Sequence, residues 1–147
     1  MRRKKRPRRP RNFHVAPRSL DWNTIGWVDL QVNGHNGVDF SSPELTEDGV
    51  VKVVEELADA GTEVFLPTVV TSSEALYRRN LPLIKRAVER HGLGMHIPGI
   101  HLEGPMITSV GSHEPTLLKE CSAENVRLYD EISEGFIPVS YTHLTLP

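Results

Sequence analysis

The sequence predicts an α/β fold in which parallel strands are joined by crossover helices. Two observations carry this expectation. Short apolar runs of strand length stand at 26–32, 64–70 and 97–102. Between them apolar residues recur with a helical period, and turn or breaker residues separate the segments. Strand alternating with helix is the pattern of βαβ units.

The first run closes on Asn33-Gly34-His35-Asn36-Gly37, a cluster of turn formers. Thr46 is suited to cap a helix with Glu47 and Asp48 in its first turn, and Val50, Val53, Val54, Leu57 and Ala58 then share one face. Gly61 supplies its stop. After the second strand, Ser72 or Ser73 can cap a helix whose apolar residues are Leu76, Leu81, Ile84, Ala87 and Val88. Pro82 lies inside it, so a kink or a break into two short helices is expected. His91 and Gly92 end that segment. A third helix is expected at 122–132, with Val126, Leu128, Tyr129 and Ile132 as a weak stripe. The stretch 139–147 shows neither period nor core pattern and is expected to be a non-native tail outside the fold.

With 147 residues, 38% hydrophobic and 24% charged, the composition is that of one soluble globular domain at most. No apolar run reaches the 18 or so residues of a membrane span. The basic start is followed by Asn12, His14, Arg18 and Asp21 rather than by the apolar core of a signal peptide. A cytoplasmic protein with no membrane partner is expected. The single cysteine, Cys121, closes no intrachain disulfide and has no Cys-x-x-Cys neighbour.

Eight of the first eleven residues are Lys or Arg, while the remainder is acidic, with nine basic against nineteen acidic side chains. A like-charged run punctuated by Pro7 and Pro10 repels itself and buries nothing, so residues 1–24 are expected to form a disordered arm. Phosphate contacts from such an arm define one alternative, a non-catalytic module that binds nucleic acid. The acidic body and its few aromatic residues argue against nucleic acid as the main partner.

Two strands carry polar residues where a covered strand is normally apolar. In Asp29-Leu30-Gln31-Val32-Asn33 the period of two sends Leu30 and Val32 toward the helix layer and Asp29, Gln31 and Asn33 to the other face. In His101-Leu102-Glu103 the same alternation pairs His101 with Glu103. Both sets stand at the C-terminal ends of their strands, where α/β folds place ligands. Buried without partners, each group would cost several kcal/mol. Either they satisfy one another in a closed network or they form a site. Glu103 is the most telling, because an acceptor-only carboxylate there calls for a cation, a divalent metal if imidazoles converge on it.

Three stretches, 26–40, 61–71 and 98–105 with its Pro98-Gly99-Ile100-His101-Leu102-Glu103-Gly104-Pro105, occur in an order that resembles the N-acetylglucosamine-6-phosphate deacetylase family of the amidohydrolase superfamily. The resemblance implies a (β/α)₈ TIM barrel of the metal-dependent type, of which residues 25–138 would be the N-terminal part, the first three β/α units. It implies metal-assisted removal of the acetyl group from N-acetylglucosamine 6-phosphate, giving glucosamine 6-phosphate and acetate. Another amidohydrolase-type hydrolase or deaminase is the alternative within enzymes.

By position, Glu103 matches the family's carboxylate metal ligand. His113, in Gly111-Ser112-His113-Glu114-Pro115, resembles the histidine that polarises the substrate carbonyl and would be the catalytic residue here. Gln31 and Asn33 stand where many amidohydrolases carry a His-x-His metal pair, so the resemblance implies one divalent ion, zinc first with iron or manganese as the other candidates. With His113 they would contact the amino-sugar phosphate. His101 reads either as structural or as a group that supports the metal ligand from behind, His35 as a loop residue near the site mouth, and Asp29 as a group that orients backbone amides. A complete barrel takes about 250 residues, so the chain is expected to be a fragment, inactive alone, of an enzyme that the family makes a homo-oligomer.

Overall fold

The computed structural model describes residues 26–108 and 110–141. Residues of the basic arm up to Thr24, and the last six of the expected tail, lie outside them. The elements run β1 (Trp27–Val32), a hairpin of β2 (Gly34–His35) and β3 (Val38–Asp39), α1 (Glu47–Asp59), β4 (Thr62–Val70), α2 (Glu74–His91), β5 (His101–Glu103), α3 (Ala123–Ile132) and β6 (Val139–Tyr141). β1, β4, β5 and β6 form one parallel sheet in that order, with a helix in each connection. This is the expected α/β architecture.

Local chemistry sets the boundaries. Thr46 Oγ1 accepts from the Gly49 N–H at 3.1 Å, and Ser73 and Ser122 cap α2 and α3 in the same way. Asn36 and Gly37 both take positive φ, 44° and 84°, which is what a tight hairpin turn between β2 and β3 demands. Val50, Val53 and Val54 of α1 pack with Phe65 and Val69 of β4 and with Tyr77, Leu81 and Ile84 of α2 in one core.

Four expectations are corrected. α2 is a single helix through Pro82. Proline removes one helical hydrogen bond at a cost of about 3 kcal/mol, but Leu81, Ile84, Ala87 and Val88 are buried around it and hold the helix in place. The third strand begins only at His101. Pro98 has no N–H to give, and the preceding stretch touches its neighbours through single bonds, Phe65 N–H to His96 O and Ile100 N–H to Phe136 O, both 2.8 Å. Val139–Tyr141, set aside as part of a tail, pair with β5 as a short parallel fourth strand, too short to display a period. Leu30 is not covered by the helix layer: it is 61% exposed, beside exposed Trp27 and Val28. Among the described residues β1 is the edge strand, and α1 packs against β4, β3 and α2 rather than over it.

Candidate active site

The C-terminal ends of β1 and β5 come together although β4 lies between them in the sheet. Val70 and Glu103 are neighbours across β4 and β5, and Val32 pairs with Pro67 across β1 and β4. Glu103 thereby faces the residues that end β1. Gln31 Nε2 donates to Glu103 Oε2 at 2.9 Å, and Asn33 Nδ2 donates to the same oxygen at 3.4 Å. A carboxylate oxygen can only accept, so both amides turn their nitrogens toward it. His113 returns from the loop after β5 and brings Nε2 to 4.0 Å from the other oxygen, Oε1. The Glu103 and His113 side chains are mostly covered, 23% and 17% exposed, while Gln31 and Asn33 are exposed. The four sequence-derived site residues thus meet at one place, open on the β1 side.

Neighbouring groups fix this arrangement. Asp29 Oδ1 accepts from the Gln31 N–H at 2.9 Å, within a stretch where the β1–β4 register shifts. Such irregularities re-aim a side chain. Beyond Glu103 the chain turns sharply: Gly104 has φ 89° and the Gly104–Pro105 bond is cis. A side chain on Gly104 would collide with Thr71 Oγ1, which donates to the Glu103 carbonyl at 3.3 Å. Gly104 is therefore required both by its φ and by this close approach.

His101 lies buried in the strand that ends in Glu103, with Nδ1 3.2 Å from Thr68 Oγ1. Burial holds its pKa below the usual histidine value, opposed by the charge of Glu103 and a hydrogen bond with the Leu30 backbone. His35 belongs to the hairpin and turns toward α1, its Nε2 3.7 Å from Glu56 Oε2. Thr68 and Thr71 were missed in the sequence. The signal was present: they are polar residues at the C-terminal end of a buried strand run, the same feature that marked His101 and Glu103.

Among the described residues no group of three or more His, Cys, Asp or Glu stands close enough to hold a metal ion. The chemistry of the donors present fits one part of such a shell. Glu103 offers an anionic oxygen that carries no amide hydrogen bond, directed toward an imidazole and a solvent-open mouth.

No protein-family model matches the chain. Individual relatives do. The chain is 40% identical over 104 residues to the N-acetylglucosamine-6-phosphate deacetylase of Mus musculus, a match covering 67% of this chain and 24% of the relative. The Homo sapiens enzyme of that name is 38% identical over 105 residues, covering 67% and 25%. The chain is a homologue of the N-acetylglucosamine-6-phosphate deacetylases. It spans about a quarter of the length of these deacetylase relatives. A Pasteurella multocida deacetylase structure shares the fold, with a TM-score of 0.69 at 22% identity, covering 80% of this chain and 31% of that one. A Mycobacterium smegmatis deacetylase mutant, in complex with N-acetyl-D-glucosamine-6-phosphate, aligns with a TM-score of 0.68 at 27% identity, covering 80% and 30%.

Proposed function

We propose that this chain carries part of the active site of a metal-dependent hydrolase that removes the acetyl group from N-acetylglucosamine 6-phosphate. The observation that carries the reading is the convergence of Gln31, Asn33, Glu103 and His113 at the C-terminal ends of parallel strands, in a homologue of enzymes bearing that name. The four-stranded sheet is read as one side of a (β/α)₈ barrel, with its first three β/α units followed by a fourth strand.

Glu103 would hold one divalent ion, zinc first, with iron or manganese as alternatives, and the rest of its shell would come from outside the described residues. When bound, such an ion supplies Lewis acidity toward water and the amide carbonyl. His113 would donate a hydrogen bond from Nε2 to the acetamido oxygen and steady the negative charge that develops there. Gln31 and Asn33, exposed at the same opening, contact the sugar phosphate. Solvent reaches the β1 side, which gives water and substrate an entry. No helix among the described residues is long and apolar enough to cross a membrane. A cytoplasmic homo-oligomer acting on an amino-sugar phosphate completes the reading.

The test is a chimera in which residues 26–138 replace the matching segment of the mouse relative, assayed for acetate release from N-acetylglucosamine 6-phosphate. Retained turnover is expected, with a loss on the order of 100-fold in Glu103→Gln and in His113→Ala. An active chimera indifferent to Glu103→Gln would overturn the proposal. The 147-residue chain by itself is expected to bind zinc weakly and release no acetate.

A further inference from the structure

Glu103 has two oxygens with different surroundings. Oε2 accepts from both Gln31 Nε2 and Asn33 Nδ2, at 2.9 and 3.4 Å, and among the described residues Oε1 faces His113 Nε2, at 4.0 Å. Behind Gln31 stands a further link, the Asp29 carboxylate accepting from the Gln31 N–H. On the other side of Glu103, Thr71 Oγ1 holds the Glu103 carbonyl.

We infer that Gln31 and Asn33 are positioning residues for Glu103: they fasten Oε2 and so leave Oε1 as the single oxygen offered to a cation. This rests on the metal reading above. The reasoning begins with chemistry. Two neutral amides are poor competitors for a divalent ion, but each has N–H groups, and an acceptor-only oxygen flanked by two of them is occupied. A carboxylate free to rotate can offer one oxygen or both. One tied on a single side offers the other, in a fixed direction.

The direction is set by the backbone. Asn33 sits where β1 ends, and Asp29 holds the Gln31 amide within the stretch where the β1–β4 register slips. The amide oxygens of Gln31 and Asn33 remain available to the sugar, so the two roles are compatible. Hydrogen-bonding partners of ligand groups typically matter 10- to 100-fold in metal affinity.

Two measurements decide this, the first on the 147-residue chain and the second on the chimera described above. In metal-free protein, the side-chain NH₂ signals of Gln31 and Asn33 in ¹⁵N–¹H spectra are expected to move in Glu103→Ala, with the backbone spectrum otherwise conserved. Unmoved amide signals overturn the inference. In zinc titrations of the mouse chimera by calorimetry, where the rest of the metal shell is supplied, Gln31→Leu and the double variant with Asn33→Leu are expected to weaken binding 10- to 100-fold. Both positions are exposed, so these variants keep the fold, which circular dichroism checks. If Glu103→Ala lowers zinc affinity while Gln31→Leu does not, the positioning role is refuted and the metal reading stands. If zinc binding is absent, or unchanged in Glu103→Ala, the metal reading fails and takes this one with it.

Discussion

Thr68 and His101 are paired in register across β4 and β5, and their side chains meet, Oγ1 to Nδ1, at 3.2 Å in the sheet interior. Thr68 is fully buried and His101 nearly so. Thr68→Val keeps the shape and removes the hydroxyl, leaving a buried ring nitrogen without that partner. The expected cost is about 1–3 kcal/mol, read from urea unfolding midpoints, with Thr68→Ser losing much less. Because the pair lies in the strand that ends in Glu103, Thr68→Val is also expected to move the Glu103 resonances.

Tyr77 ties the end of β4 to α2. Its hydroxyl donates to Val70 O at 3.1 Å and accepts from the Ser72 N–H at 3.0 Å, and its ring meets Tyr129 edge-on with centroids 5.2 Å apart. Burial pushes the Tyr77 phenol well above its ordinary value; the Ser72 hydrogen bond opposes this and Tyr129 adds to it. The folded chain therefore keeps a proton that the unfolded chain releases near pH 10. Stability from this group is complete below about pH 10 and falls as pH rises beyond it. Urea midpoints from pH 8 to 11 should drop at the alkaline end, and Tyr77→Phe should flatten that drop while lowering stability at pH 8 by about 1–3 kcal/mol.

Asn80 is fully buried in α2 and donates to Phe40 O and Ser42 O, both at 2.9 Å. Its own oxygen accepts from Arg79, which also donates to Leu45 O. The loop from β3 to α1 is thus held by one amide and one guanidinium. Asn80→Ala strands the buried Phe40 carbonyl, at about 1–3 kcal/mol, while Ser42 O keeps the Leu45 N–H. Faster proteolytic cleavage within 40–45 is the accompanying signature.

These contacts show what the sequence could and could not disclose. The alternation of periods of 3.6 and 2 marks α1, β4 and α2 because their buried faces are long enough to display it. β6 has three residues, and three residues have no period. Leu30 looks buried because strand alternation assigns it a face but says nothing of whether a helix lies over that face. Glu103 and Gln31 declare themselves as polar groups in apolar runs, yet their contact spans 72 positions and depends on β4 lying between their strands. His113 stands in a loop, where spacing carries no geometry, and only the family resemblance singled it out.

The exposed stripe on β1 has a consequence for solution behaviour. Trp27, Val28 and Leu30 are 78%, 58% and 61% exposed on an edge strand. Apolar edges of this kind pair with other chains. Val28→Thr with Leu30→Lys should lower self-association in sedimentation velocity without loss of folding stability, since neither side chain belongs to the core. A fall in the urea midpoint would show instead that these residues pack in solution.

Gly104 joins the turn after Glu103 to Thr71. Its φ of 89° suits glycine alone, and a Cβ would meet Thr71 Oγ1. Gly104→Ala therefore carries two separable penalties, backbone strain of about 1–3 kcal/mol and a collision. Thr71→Ala removes the collision partner and the hydrogen bond to the Glu103 carbonyl, but leaves the strain untouched. In a double-mutant cycle from urea unfolding, the pair should be less destabilised than the sum of the single variants, because the clash exists only when both the new methyl and Oγ1 are present. Additive losses would mean that Thr71 rotates away at no cost, and that the Glu103 carbonyl is held by the turn itself.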